Sequence, residues 1–383
     1  RDVMAKSLYD RLVSNYEFQL GELPYRDEFK RALQATFGEK DLEVVFLLPF
    51  LGQVTEDKLA KKAARAGFSR EELLEHARRL MPQGLVDTYV GPKGRVYSRA
   101  PIIALLEFQV RLQEASPLRE VCTKIMNAFI EGAVQTIPTK TPYYRVLPVE
   151  HTIRPAGEAR VVPVNVQVPD PREVLPVDVV SEMVRKESLI AVSDCYCRAA
   201  KKLAGQGCDH PMETCFYFNE LAMVKLESGY ARRVDAEEAI AILRRSEEAG
   251  LVHNVSNCEG KIQTLCNCCP CACGVLRATM RGQKNTGAPS RFRSALVEGR
   301  CTLSGACVQI CPMRALAIAE GKLQLDAERC IGCGLCVSRC PNGALHMVPR
   351  DRPPRIYPTN DALFGRIYRE AAVGLVLRKV RGK

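Results

Sequence analysis

The sequence predicts an α+β protein built from several domains, and three observations predict this class. Its 383 residues exceed the roughly 100–200 residues of a single domain. Helical periodicity near the N-terminus gives way to a β-hairpin pattern around residue 90. All but one of the 18 cysteines lie beyond residue 190. We therefore expect a helical N-terminal part followed by cysteine-rich parts in which thiolates bind metal, because a reduced chain of this length does not need disulfides to fold.

The N-terminal pattern predicts helices over residues 1–40 and over Val54–Ala66. Ser69 and Glu72 then form a capping box that begins another helix, which ends before Gly84. The segment LVDTYVGPKGRVYS, residues 85–98, alternates around a Gly/Pro/Lys/Gly turn and predicts a hairpin. Two helices followed by a hairpin is the order of a winged-helix domain, here at about residues 41–98.

The charges of the second helix favour a structural or docking role for this domain over DNA binding. Its first turn carries Arg70, Glu71 and Glu72, and carboxylates at that place would repel phosphate. The formal charge of +11 would by itself indicate an acidic partner. Each iron–sulfur cluster with its cysteines adds about −2, so several clusters would leave the protein only mildly basic.

The most specific signal is the run Cys330, Cys333, Cys336, Cys340–Pro341, which matches C-x2-C-x2-C-x3-C-P. Upstream, the same offsets are occupied by Cys301, Ser304, Cys307 and Cys311–Pro312, so that serine replaces one cysteine. The two halves form one repeat, and this part resembles a two-cluster bacterial ferredoxin. In that family the fourth cysteine of each run binds the other cluster. The resemblance implies one cluster on Cys311, Cys330, Cys333 and Cys336, and another on Cys301, Cys307 and Cys340, with Ser304 as the fourth cofactor-binding position.

Ser304 leaves three alternatives open for the second cluster. The site can hold a three-iron cluster, use the Ser304 oxygen as a ligand, or leave one iron open to an external ligand. Three of four ligands are present, which argues against a lost cluster.

The middle region carries nine more candidate ligands and predicts two further clusters. The stretch LCNCCPCACG, residues 265–274, is expected to lie between these two clusters and to supply ligands to both. Alternation along an extended chain would point Cys266 and Cys268 one way and Cys269, Cys271 and Cys273 the other. The candidates are Cys195, Cys197, Cys208, Cys215, Cys266, Cys268, Cys269, Cys271 and Cys273. Cys258 and Cys122 fall outside the pattern. His210 and His253 lie near cysteine groups and could replace a thiolate as a ligand, but a hydrogen-bonded structural role is expected for both.

The layout as a whole resembles a family of 4Fe-4S binding proteins of anaerobes. The shared features are DCYCR, CDHPMETC, GLVH at 250–253 and the 265–269 block, placed between a winged helix and a ferredoxin pattern. Ala272 interrupts the family's final cysteine run. The resemblance covers about residues 45–350 and implies electron transfer beside flavin- or metal-dependent reductases.

Together these patterns predict a cytoplasmic, low-potential electron carrier with about four clusters, most of them [4Fe-4S] and one [3Fe-4S], and no catalytic residues of its own. A redox partner protein is expected, whereas binding to nucleic acid or membrane is not. The alternatives are a redox-sensing winged-helix regulator and a reductase that uses an open iron. The predicted segments are a helical and winged-helix domain at residues 1–110, a proline-rich connection at 111–190 and a cysteine-rich iron–sulfur domain at 191–282. A two-cluster ferredoxin domain at 283–350 and a basic tail helix at 351–383 follow.

Overall fold

A computed structural model describes residues 6–50, 52–132, 139–153, 174–283 and 285–380 of the chain. The chain forms two compact units. The first unit comprises Arg1–Ile137, Ser193–Cys208 and Glu220–Arg232, and the second comprises Pro138–Val192, Asp209–Asn219 and Arg233–Lys383. Each unit therefore takes segments from separate parts of the sequence.

The α-helices are, in chain order, α1 Leu8–Leu20, α2 Arg26–Thr36, α3 Glu39–Leu47, α4 Glu56–Arg65, α5 Arg70–Leu80, α6 Ile102–Gln109, α7 Pro117–Glu131, α8 Val180–Arg185, α9 Tyr196–Leu203, α10 Asn219–Glu227, α11 Ala236–Glu248, α12 Gly274–Met280, α13 Ala306–Ile310, α14 Leu335–Ser338 and α15 Asn360–Val380. Short 3-10 helices occur at Met81–Gln83, Glu150–Thr152 and Pro176–Asp178. Among the helices of the described ranges, none combines the length and the apolar composition that a membrane span requires.

The strands are, in chain order, β1 Val54–Thr55, β2 Val86–Gly91, β3 Gly94–Arg99, β4 Tyr144–Leu147, β5 Ile190–Asp194, β6 Glu213–Phe218, β7 Arg232–Val234, β8 Val252–Ser256, β9 Thr264–Cys268, β10 Gly287–Ala288, β11 Phe292–Leu296, β12 Leu316–Ala319, β13 Lys322–Leu325 and β14 Leu345–Pro349. They form sheets of three and seven strands and two two-stranded ribbons within the described ranges.

The first unit is largely helical, with one apolar core shared by its N-terminal helices and the small sheet β1-β3-β2. The predicted capping box is confirmed, because the Ser69 hydroxyl accepts from the Glu72 amide and the Glu72 carboxylate accepts from the Ser69 amide. The predicted hairpin is confirmed as β2–β3. The predicted helix over Val54–Ala66 begins later, at Glu56, because Val54 and Thr55 pair with β3 as strand β1.

The segment predicted as a proline-rich connection, residues 111–190, contains a long helix. The 15-residue helix α7 lies there, and its Leu118, Val121 and Ile125 are buried in the core of the first unit. Pro117 stands at the first helical position, where proline favours a helix because its missing N–H would be unbonded anyway. Most of the prolines on which the expectation rested are in residues 133–138 and 154–173, which lie outside the described residues.

The second unit is built on the seven-stranded sheet, with the order β10-β4-β8-β9-β6-β5-β7. β9 lies between β8 and β6 and pairs antiparallel with both, which places Cys266 directly opposite Cys215. The C-terminal part of the unit consists of the ribbons β11–β14 and β12–β13 with the short helices α13 and α14.

The predicted tail helix is present as α15 and packs within the second unit. Leu363 is fully buried beside Cys258 and Tyr357, and the Glu370 carboxylate accepts hydrogen bonds from the amides of Lys140 at 2.7 Å and Thr141 at 2.9 Å. The first half of α15 is therefore part of the folded unit.

Candidate metal centres

Two loops of the C-terminal part share one backbone conformation, although they differ in sequence. In each loop the left-handed residues occupy the same places relative to the cysteines: Leu303 and Gly332, Gly305 and Gly334, Arg314 and Gly343. Leucine and arginine rarely adopt a positive φ, because the Cβ atom then crowds the backbone. Their presence here indicates that the loop around Ser304 keeps the shape of the loop around Cys333.

The second loop forms a site with a cysteine from the first repeat, which we call the Cys330 site. One cavity is lined by Cys311, Cys330, Cys333 and Cys336. The resemblance to two-cluster ferredoxins implies this same set, with Cys311 crossing from the other repeat. The geometry brings the four together, and their binding to iron stays a prediction.

The first loop forms a matching cavity, which we call the Ser304 site. It is lined by Cys301, Ser304, Cys307 and Cys340. Cys340 crosses from the second repeat, as the resemblance implies. The replacement of cysteine by serine has therefore not collapsed the cavity.

Glycines hold the loop of the Cys330 site against its surroundings. A Cβ atom on Gly332 would collide with the Phe292 carbonyl oxygen, and one on Gly334 would lie 2.6 Å from the Thr152 hydroxyl. In addition, the Ser290 hydroxyl donates to the Gly332 carbonyl at 2.7 Å. These close approaches fix the position of the three cysteines that the loop carries.

Burial and hydrogen bonding set the electrostatics of these cysteines. Burial raises the pKa of the Cys336 thiol to about 12, and it raises the pKa of Cys333 well above its ordinary value. The Ser294 hydroxyl lies 3.1 Å from Cys336 Sγ, and the Ala315 amide donates to Cys311 Sγ at 3.3 Å. Such bonds to a ligating sulfur favour the more negative, reduced state of a cluster.

A third group of cysteines lies on the central sheet, and we call it the sheet set: Cys215, Cys266, Cys268 and Cys273. Directly paired residues of antiparallel strands share a face, so Cys215 lies beside Cys266. Cys268 follows on the same face of β9. Hydrogen bonds with the Cys266 and Cys273 side chains, followed by burial, raise the pKa of Cys268 well above its ordinary value.

The expected alternation along residues 265–274 is wrong at Cys273. Strand β9 ends at Cys268, and the chain turns so that the Cys273 amide donates to the Cys269 carbonyl at 3.1 Å. Cys273 thus precedes α12 and faces Cys268 again, instead of facing the same way as Cys269 and Cys271.

A fourth group, which we call the histidine set, joins three predicted cysteines to a histidine that was expected to be structural. The ligand atoms of Cys208, His210, Cys269 and Cys271 all lie within 4.8 Å of one another. The loop before β6 supplies the first two residues, and the turn after β9 supplies the others. The signal for His210 in the sequence is its place in CDHPMETC, between two cysteines.

The remaining cysteines and His253 have other environments. Cys195 immediately precedes α9, and Cys197 lies in its first turn and packs against the core of the first unit. Metal binding by these two cysteines stays a prediction. Cys122 and Cys258 are buried outside all four groups, as expected, and the Cys258 thiol donates to Asn360 at 3.3 Å. His253 is structural, since its ring nitrogens are bonded to Asn267 and Glu247.

The donor chemistry of the Cys330 site, the Ser304 site and the sheet set fits iron–sulfur clusters. Their ligands are soft thiolates, and in the Cys330 loop the backbone comes close enough for only glycine to fit. The sequence alone could identify the first two sites, because short loops fix their shape. The ligand pairing in the sheet set depends on strand register.

The family model of the 4Fe-4S dicluster domain matches residues 300–344 of this chain. That range contains every cysteine of the Cys330 site and the Ser304 site. Neither the curated proteins nor the solved structures gave a match. The match and the cysteine groups support an iron–sulfur protein with a ferredoxin-type domain at its C-terminal end.

We expect Gly332→Ala to remove about one cluster, measured as roughly four irons lost per chain. The alanine Cβ would collide with the Phe292 carbonyl and displace the cysteine loop. Gly343→Ala is the matched control, because Gly343 also has a positive φ but no atom lies within 4 Å of its added Cβ. Equal iron contents in the two variants would contradict the role assigned to Gly332.

Proposed function

We propose that this protein is a low-potential electron carrier, or the electron-transfer subunit of an oxidoreductase, in which the sheet set, the Cys330 site and the Ser304 site form a relay in that order. The observation that carries the proposal is the packing between the sites. Two apolar clusters of side chains connect them, and Cys311 contacts both clusters.

The first cluster links the sheet set to the Cys330 site. Cys268 and Cys273 are buried in it together with Cys333, Ile331 and Leu335. Such packing supports electron transfer, because a rigid environment with little water changes little when charge moves through it.

The second cluster links the Cys330 site to the Ser304 site. Cys307 and Cys336 are buried in it beside Leu316 and Leu345, with Cys340 packed against them. One cysteine from each site is therefore buried in the same apolar cluster. This packing supports a relay in which electrons pass through the Cys330 site between the sheet set and the Ser304 site.

A difference in exposure indicates where electrons would enter or leave. In the Cys330 loop, residues 331–336 are buried, whereas Thr302, Leu303 and Ser304 of the matching loop are exposed. Leu303 and Ile318 line the Ser304 cavity and are 39% and 43% exposed. This apolar rim favours a partner oxidoreductase that docks transiently over the Ser304 site.

The cofactors we propose are [4Fe-4S] clusters at the sheet set and the Cys330 site and a [3Fe-4S] cluster at the Ser304 site. When bound, such groups supply one-electron oxidation and reduction. The thiolates of these three sites would hold the irons, and burial of residues 331–336 shields the Cys330 loop from water. The Ala315 and Leu345 amides donate hydrogen bonds to Cys311 and Cys340, and the Ser294 hydroxyl is hydrogen-bonded to Cys336 Sγ. The sequence predicts about four clusters, and the histidine set is considered separately below.

The N-terminal elements support a winged-helix docking domain at about residues 39–99. The order α3, β1, α4, α5, β2, β3, with β3 between the other two strands, is consistent with that fold. Arg70, at the start of α5, is ion-paired with Glu56 and Asp57, and Glu71 and Glu72 beside it are exposed. This surface favours contact with a protein over contact with phosphate.

One observation favours reductase activity as a second candidate function. Ser304 is exposed and lines the same cavity as its three cysteines. An iron left open at that position could take a small ligand from solvent. The Ser304→Cys variant separates this candidate from the relay, because a fourth thiolate would close the position without interrupting the path between the sites.

We expect Ser304→Cys to convert the three-iron cluster into a four-iron cluster, because the new thiolate occupies the missing ligand position. Iron should rise by about one per chain, and the electron paramagnetic resonance signal of the oxidised three-iron cluster should disappear. Ser338→Cys, which adds a thiol that lines neither cavity, is the control. Persistence of the signal in Ser304→Cys would show that Ser304 does not occupy the missing ligand position of the cluster.

The relay itself is tested by Cys333→Ala, which removes a ligand from the Cys330 site, the middle site of the relay. A reduced flavodoxin would serve as a protein donor too large to contact the sheet set directly, because Cys215, Cys268 and Cys273 are buried and Cys266 is partly buried. After rapid mixing and freezing, reduction of the sheet-set cluster should be slower than in the unsubstituted protein by an order of magnitude or more. Cys258→Ala, a buried cysteine outside the four groups, is the control. An unchanged rate in Cys333→Ala would refute the relay order.

A further inference from the structure

The histidine set is more compact than the other cysteine groups. Its four ligand atoms lie within 4.8 Å of one another, and Cys271 Sγ is 3.9 Å from His210 Nδ1. Within the described residues, the cysteines of the Cys330 site, the Ser304 site and the sheet set form no group of three or more that converges this closely. The difference in size distinguishes two kinds of metal centre in one protein.

Ligand spacing follows from the number of metal ions that share the ligands. Zinc bonds of about 2.3 Å to sulfur and 2.0–2.1 Å to nitrogen give a tetrahedron with edges of about 3.5–3.8 Å. A cubane instead binds its four thiolates at four different irons, which sets the sulfurs farther apart. The convergence of the histidine set therefore fits one ion better than a four-iron cluster.

The composition of the set selects the ion. Three thiolates and one imidazole are a common ligand set of structural zinc, which is four-coordinate and needs no water or substrate. Cys269 is 1% exposed and the other three residues are half-buried, so the protein can surround the ion. We propose that Cys208, His210, Cys269 and Cys271 hold one zinc ion, which ties the loop before β6 to the turn after β9.

The neighbouring cysteines Cys268 and Cys269 would then bind different metals. Adjacent residues at the end of an extended strand point to opposite sides, and Cys268 belongs to the sheet set. The stretch LCNCCPCACG would thus lie between an iron–sulfur cluster and a zinc ion and supply ligands to both. The proposal does not rest on the electron-relay function, because zinc is redox-inert and would take no part in electron transfer.

The test is metal analysis of the whole protein purified without oxygen, with zinc-edge X-ray absorption as the structural readout. The zinc edge is not affected by the iron of the clusters. We expect about one zinc per chain, bound by three sulfurs at about 2.3 Å and one nitrogen at about 2.0–2.1 Å. Less than a tenth of a zinc per chain would overturn the proposal.

Variants at the two adjacent cysteines provide a matched pair. Cys269→Ala should lose the zinc and keep its iron, whereas Cys268→Ala should lose about four irons and keep its zinc. Loss of about four irons in Cys269→Ala, with no zinc in the unsubstituted protein, would identify the set as a cluster site. Loss of a single iron would overturn the choice of zinc.

His210→Cys keeps the test decisive even if Cys269→Ala does not fold. It should retain one zinc per chain, and its absorption spectrum should change from three sulfurs and one nitrogen to four sulfurs. His346→Ala, at an exposed histidine of the same unit, is the control and should leave the spectrum unchanged. A zinc spectrum that is identical in His210→Cys and the unsubstituted protein would overturn the assignment of His210 as a ligand.

Discussion

In the proposed assignment, bonding between metal and thiolate is the interaction on which the second unit depends. Its cysteines are gathered in apolar clusters, where burial raises the pKa of Cys307, Cys333 and Cys336 above that of a free thiol. A thiolate alone would be costly there, and a bound metal would make the deprotonated state favourable. Metal binding and folding of these loops would therefore be coupled, and the clusters that bury the sites are the same clusters that connect them.

The backbone of the cysteine loops imposes a second constraint. Each loop must pass through left-handed conformations at fixed places, and the Cys330 loop meets this requirement with glycine at 332 and 334. The other repeat keeps a leucine at 303 and an arginine at 314 in that conformation, which costs about 1–2 kcal/mol for each residue. A loop that had lost its cofactor would have no reason to keep the strained shape, so the conformation supports a working site at Ser304.

Local rules predict those parts of the structure that local interactions determine. The capping box of Ser69 and Glu72 and the hairpin of β2 and β3 need only neighbouring residues. The crossing of Cys311 into the Cys330 site is implied by the resemblance of the repeat to two-cluster ferredoxins, and the short spacings of that repeat make the resemblance specific. The sequence does not reveal where β9 ends, and this decides that Cys273 faces Cys268. It also does not reveal that the loop carrying His210 meets the turn after β9, because that contact joins residues about sixty apart in the chain.

The most direct test of the account is an anaerobic reductive titration followed by electron paramagnetic resonance. The relay predicts a three-iron signal in the oxidised protein and, on reduction, two four-iron signals that broaden each other because their sites lie close together. Sharp signals that never interact would contradict a relay through shared apolar packing. A single titrating cluster would equally contradict it, since the sheet set would then take no part in electron transfer.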